Sequence, residues 1–139
     1  MKAAIGLVLA SLLVLPAGCG GGNGPKTIDV RGQITHKGQA LASGTITFAP
    51  VDPNVAGTRP AVGAIKDGLY RLSTFSTDDG TLPGQYVVIV QSHGRPASEL
   101  DRRPKSLIPE QFASHAKTPL RAIVPADHRG TLKLDFDLK

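Results

Sequence analysis

An all-β, antiparallel sandwich of about seven strands is the fold this sequence predicts, and three observations predict it. From Thr27 onward apolar residues recur mostly at every second position, the period of a half-buried strand rather than of a helix. Clusters of Gly, Pro and Asp interrupt those runs at regular intervals, as they do between sandwich strands. The sharpest interruption, Asp67-Gly68, suits a two-residue type I′ hairpin, because both central positions of that turn take positive φ.

The elements follow in chain order. TIDVRGQIT (27–35) sets Ile28, Val30 and Ile34 on one face and Asp29, Arg31, Gln33 and Thr35 on the other, with Gly32 marking a bulge or a close backbone contact. HKGQ turns the chain, and TITFAP (45–50) directs Ile46 and Phe48 inward. Pro50, Pro53, Asn54, Gly57 and Pro60 mark an exposed loop. AVGAIK (61–66) and LYRLS (69–73) flank Asp67-Gly68, with Tyr70 and Leu72 inward. QYVVIVQS (85–92) is apolar on both faces, so it is expected to be covered on both. Residues 93–129 break the period. After a polar stretch, Ile108, Phe112, Leu120, Ile123 and Val124 are expected to cover the second face of 85–92, the one bearing Val87 and Ile89, and a helical turn is expected over 110–116 behind Pro109. TLKLDFDL (131–138) reads as one closing strand, with Leu132, Leu134, Phe136 and Leu138 inward and Lys133, Asp135 and Asp137 outward.

The amino terminus carries an address. Lys2 supplies a positive start, and Ile5 to Leu15 is an uncharged apolar run followed by Pro16-Ala17-Gly18 and Cys19, the layout of a secretory signal. These eleven residues are too few to span a bilayer, which takes about 20. Cys19 is the only cysteine, so no intramolecular disulfide can form. Ala17-Gly18-Cys19 resembles the lipobox of bacterial lipoproteins, with Pro16 standing where that pattern usually has Leu. The resemblance implies cleavage before Cys19 and acylation of Cys19, and several acyl chains anchor stably where one does not. An accidental cysteine beside an ordinary signal-peptidase site is the competing reading. Gly20 resembles the pattern sorted to the outer rather than the inner membrane. The organisation expected is therefore a signal peptide over 1–18, a Gly-rich tether over 19–26 and one domain over 27–139.

The formal charge is +5, one unit less once Lys2 leaves, with acids interspersed. Nucleic-acid binding calls for a basic stripe with aromatic stacking partners. The only tight basic cluster is Arg102-Arg103 with Lys105 nearby, which reads as a solvated loop suited to anionic polymers or headgroups, and no nucleic-acid partner is expected.

Asp78-Asp79-Gly80 has the look of a calcium loop, but its acids are adjacent and no Glu lies between Lys66 and Val90, so turn formation is the preferred reading. His36, His93, His115 and His128 fall in separate segments without the close pairing zinc favours. No G-x-S-x-G occurs. An internal isopeptide bond lacks a partner, since Asn23 and Asn54 fall in the tether and a loop. Sugar platforms normally present aromatics, and the chain has no Trp. The expectation is no catalytic residue, no cofactor and no metal. The partner classes are the membrane, through the anchor, and an envelope protein or polysaccharide.

ITHKGQALASGTITFAP, KDGLYRLST, DDGTLPGQYVVIV, TPL and TLKLDFDL together resemble the transthyretin-like, carboxypeptidase-regulatory-like domain of small bacterial lipoproteins, a type abundant among planctomycetes. The resemblance implies a seven-stranded Greek-key sandwich and says almost nothing of chemistry, because its motifs are turn and core positions. The enzyme on that fold, hydroxyisourate hydrolase, uses histidines and an arginine at a dimer cleft and a tyrosine-containing terminal signature. This chain ends LDFDLK and carries Arg31 where an early histidine would stand.

Overall fold

A computed structural model describes residues 24–95 and 104–139. Nine short strands form the fold: β1 (Val30–His36), β2 (Gln39–Ala40), β3 (Ser43–Pro50), β4 (Ala61–Lys66), β5 (Leu69–Arg71), β6 (Gly84–Gln91), β7 (Arg121–Val124), β8 (Leu132–Lys133) and β9 (Phe136–Leu138). The all-β expectation holds. Seven of them lie side by side in the order β2-β1-β5-β4-β3-β6-β7, every neighbouring pair antiparallel, and the sheet curls so that its two halves enclose one core.

Local chemistry explains the hairpins. Asp67 and Gly68 take φ of 52° and 78°, the two positive values a type I′ turn demands, and they reverse β4 into β5. Lys37 and Gly38, at 52° and 79°, do the same between β1 and β2. The core forms where the alternating faces meet. Phe48 of β3 lies 6.4 Å from Tyr70 of β5, 5.7 Å from Tyr86 of β6 and 6.1 Å from Phe136 of β9, ring centre to ring centre, so one aromatic knot ties both halves of the curl together. Tyr70 donates its hydroxyl proton to the Leu134 carbonyl at 2.6 Å, and Tyr86 to the Leu82 carbonyl at 2.7 Å, so neither buried ring carries an unpaired polar tip.

Three expectations are corrected. The closing segment is not one strand: β8 and β9 both run parallel to β1, with a break at Leu134-Asp135. The break sits against Gly32, where an added Cβ would lie 1.8 Å from the Leu134 carbonyl oxygen, and there the Asp135 carboxylate replaces a backbone partner by accepting from the Gln33 N–H at 2.8 Å. Gly32 is thus the close contact its place in the strand implied. Second, Ile123 faces solvent and covers nothing, being 66% exposed. In β7 Ala122 is the partner of Tyr86 and so shares its core face, whereas Ile123 is the partner of Gln85 and points outward. Ile108, Phe112 and Val124 are buried, with Leu120 packed against them, yet they join the cluster of Tyr86, Val88 and Val90 instead of covering Val87 and Ile89. Third, the helical turn is shorter than expected, a single 3-10 turn over Glu110–Ala113 behind Pro109.

The signal peptide, Cys19 and the tether up to Asn23 lie outside the described residues, as do Arg102 and Arg103. Among the described residues no helix is long and apolar enough to cross a membrane.

Candidate functional site: a basic groove on the outer sheet face

Register, which no local pattern reveals, brings the outward cations together. Arg31 of β1 lies directly opposite Arg71 of β5 on one side and beside Lys133 of β8 on the other, so three cations form a row across three adjacent strands. Like charges directly opposite in a sheet repel. Asp29, two residues before Arg31 and on the same face, relieves that repulsion. Its Oδ2 accepts from Arg31 Nη2, lies 3.8 Å from Arg71 Nη2 and accepts from the Thr131 hydroxyl at 2.8 Å. The hydrogen bond from Arg31 holds the Asp29 carboxyl below the usual carboxylate range, against the opposing push of burial, with Thr131 and the charge of Arg71 helping. A carboxyl pulled down in this way is a counter-ion rather than a proton carrier near neutral pH. Arg31 Nε and Asp29 Oδ1 are buried without a hydrogen-bond partner among the described residues.

The row borders a groove of about 880 Å³ between β8, β1, β5 and β4. Lys66, Arg71, Arg31 and Lys133 line it together with two carboxylates, Asp67 and Asp78, and Val62 and Leu69 add apolar wall at 45% and 60% exposure. Asp78 lies 3.7 Å from Arg71 and Asp135 lies 3.6 Å from Lys133, pairs exposed enough for water and salt to weaken them. Between the Lys66–Leu69 pairing and the Val62–Ser73 bridge, β4 and β5 stay so close that a Cβ on Gly63 would lie 2.4 Å from the Arg71 carbonyl oxygen, so Gly63 lines the groove without a side chain. Among the described residues that line it there is no histidine, cysteine or glutamate. The arrangement can hold an anion, and its apolar wall can take a flat or aliphatic portion of the same ligand.

The residues singled out by sequence fall elsewhere. Asp79 builds a turn: its two carboxylate oxygens accept the N–H groups of Thr74, Phe75 and Ser76 at 2.7, 3.0 and 3.0 Å. Burial alone pushes its carboxyl up, but those N–H groups outweigh it and hold the group below the ordinary range. Asp78 takes φ of 57° and Gly80 φ of 90° to close the loop. The four histidines stay apart. His36 is in β1, His93 and His115 are exposed, and His128 lines a second, smaller cavity of about 240 Å³ with Lys26, Asp29 and Arg129. Among the described residues no three His, Cys, Asp or Glu side chains come together as metal ligands would. Asn54 is exposed in a loop, and Lys133, Asp135 and Asp137 point outward as their alternation implied. Sequence reasoning missed the groove. The one available signal was an Arg or Lys at the outward position of three segments, 31, 71 and 133, and only pairing makes them neighbours.

Compared with protein-family models, with curated proteins and with solved structures, the chain matches none.

Proposed function

We propose that this chain is an exported, lipid-anchored, non-catalytic binding domain of transthyretin-like type, whose groove across β8, β1, β5 and β4 holds an acidic ligand of the envelope. The leader, Cys19 and the glycines after it support the anchor, and the turn and core motifs support the domain type. The observation that carries the binding role is the facing pair Arg31 and Arg71, with Lys133 beside them, along an open groove. An anionic group offsets their mutual repulsion better than one shared, partly exposed carboxylate does. The wall of Val62 and Leu69 suits an acidic polysaccharide, whose sugar faces are apolar and whose carboxylates project from the rim.

Binding of polygalacturonate, a soluble acidic polysaccharide, tests the groove. Titration calorimetry should show binding that weakens as salt rises through the range where the Debye length falls below about 8 Å. The double variant Arg31→Gln, Arg71→Gln should lose it while retaining its far-ultraviolet spectrum. Equal binding by both proteins would sink the groove reading. The anchor is tested separately by fractionation: Cys19→Ala should move the protein from the membrane to the soluble fraction.

A further inference from the structure

Strand direction sorts the loops of the domain into two ends. β1, β4, β6 and β8 begin, and β3, β5 and β7 finish, at the same end, because Pro50 pairs with Tyr86, Phe48 with Ala61, Gly84 with Val124 and Val30 with Leu132. The chain also enters there. Ile28 exchanges backbone hydrogen bonds with Thr81, just ahead of β6, at 2.8 and 3.0 Å. Cys19 stands nine residues before Ile28, at most about 30 Å of extended chain. An eight-residue strand such as β3 is itself about 26 Å long. A lipid on Cys19 therefore holds the entry end near the bilayer, and the far end could reach the surface only by stretching the tether along the whole domain.

The entry end is built for contact. Of the six aromatic residues, Phe48, Tyr70, Tyr86 and Phe112 are buried and Phe136 packs against the core, whereas Phe75 is 46% exposed. It occupies the loop that the Asp79 carboxylate fastens through three N–H groups, so it is presented on a fixed support. Arg59, from the neighbouring loop between β3 and β4, places its guanidinium 5.5 Å from the Phe75 ring centre, a cation on an aromatic face. That same loop carries Val51 and Val55 at 48% and 53% exposure. Exposed apolar side chains also occur away from this end, at Leu69 and Leu107. The entry end alone adds an aromatic residue, a stacked arginine and the tether. Aromatic and arginine side chains that combine an apolar body with a polar or charged tip suit the headgroup layer.

We propose that the loops around Phe75 and Val55 form a lipid-docking surface that seats the entry end of the domain on the bilayer and leaves the Lys66–Leu69 end of the groove facing away from it. This rests on Cys19 being the anchor. Because the chain has no tryptophan, a single one reports position. Phe75→Trp, and separately Leu107→Trp at the opposite end as the control, are introduced into the full lipidated chain. Each is reconstituted in phosphatidylethanolamine–phosphatidylglycerol vesicles containing brominated acyl chains. Emission from Phe75→Trp should shift to the blue and be quenched several-fold more than emission from Leu107→Trp. Co-flotation with the vesicles but equal or absent quenching at the two positions would overturn docking while leaving the anchor intact. Failure to float would overturn the anchor and docking together. Should Phe75→Trp lose its folded spectrum, Val55→Trp replaces it with the same expected contrast.

Discussion

Asp79 and Gly32 show how much of this fold is fixed by single positions. Asp79 accepts three backbone N–H groups that have no other partner among the contacts of its loop, so Asp79→Ala strands them and should cost about 2 kcal/mol in urea unfolding. The sign of its pH effect follows from its lowered pKa. Asp29 and Asp79 both bind a proton more weakly in the folded chain than in the unfolded one, so the stability they contribute is complete above about pH 4. It is lost as pH falls through their folded values. The midpoint of thermal unfolding should therefore decline on acidification below about pH 4, and decline less in Asp79→Ala. Gly32 acts by what it lacks. A Cβ there would lie 1.8 Å from the Leu134 oxygen, and backbone cannot yield as a flexible side chain can, so Gly32→Ala should destabilise by about 3 kcal/mol. Gly24→Ala, with nothing within 4 Å, should be neutral.

At the level of elements, β7 is the edge of the main sheet beyond β6 among the described residues, where an unprotected strand would recruit another copy. It is four residues long, with Pro119 and Pro125 close to its two ends and Arg121 pointing out. The triple variant Pro119→Thr, Arg121→Val, Pro125→Thr should self-associate in sedimentation at concentrations where the parent is monodisperse. The segment before it is a plug: Phe112 is 2% exposed and the Thr118 hydroxyl donates to the Val88 carbonyl at 2.8 Å. Phe112→Ala should cost about 3–4 kcal/mol, and amides over 108–124 should exchange slowly in the parent. How legible these elements were depends on the range of the interaction that decides them. The Asp67-Gly68 turn, the inward Tyr70 and Tyr86 and the alternation of β1 and β4 are written in neighbouring residues, and the structure keeps each. Ile123 misled because Ala122, Ile123 and Val124 are apolar at adjacent positions, and only the pairing with β6 decides which of them face the core. The groove was not legible at all. It depends on residues 31, 71 and 133 becoming neighbours through register, and each alone is an ordinary outward cation.

For the whole molecule, the proposed anchor, docking surface and groove would share one arrangement: the groove lies on the outer sheet face and runs from Lys66 and Leu69 at the far end to Thr77 and Asp78 in the loop that carries Phe75. If charge is what the groove reads, Lys66→Glu should weaken polygalacturonate binding severalfold with little effect on stability, since Lys66 makes no ion pair among the described residues. The parallel seam between β1 and β8–β9 has a further consequence, and it concerns time. The hydrogen bonds from Gln33 to Asp135 and from Thr35 to Asp137 each join residues 102 positions apart. The first strand to leave the ribosome is thus completed by the last. Until the final residues arrive, one flank of β1 has no partner, Tyr70 has no carbonyl to bond and Phe48 lacks one wall of its aromatic knot. A domain wired this way stays unlocked through its own synthesis, the state a chain needs if it is to be threaded through a narrow export channel before it folds. A chain stopped after Gly130 should show no cooperative unfolding transition, however many of the other strands it retains.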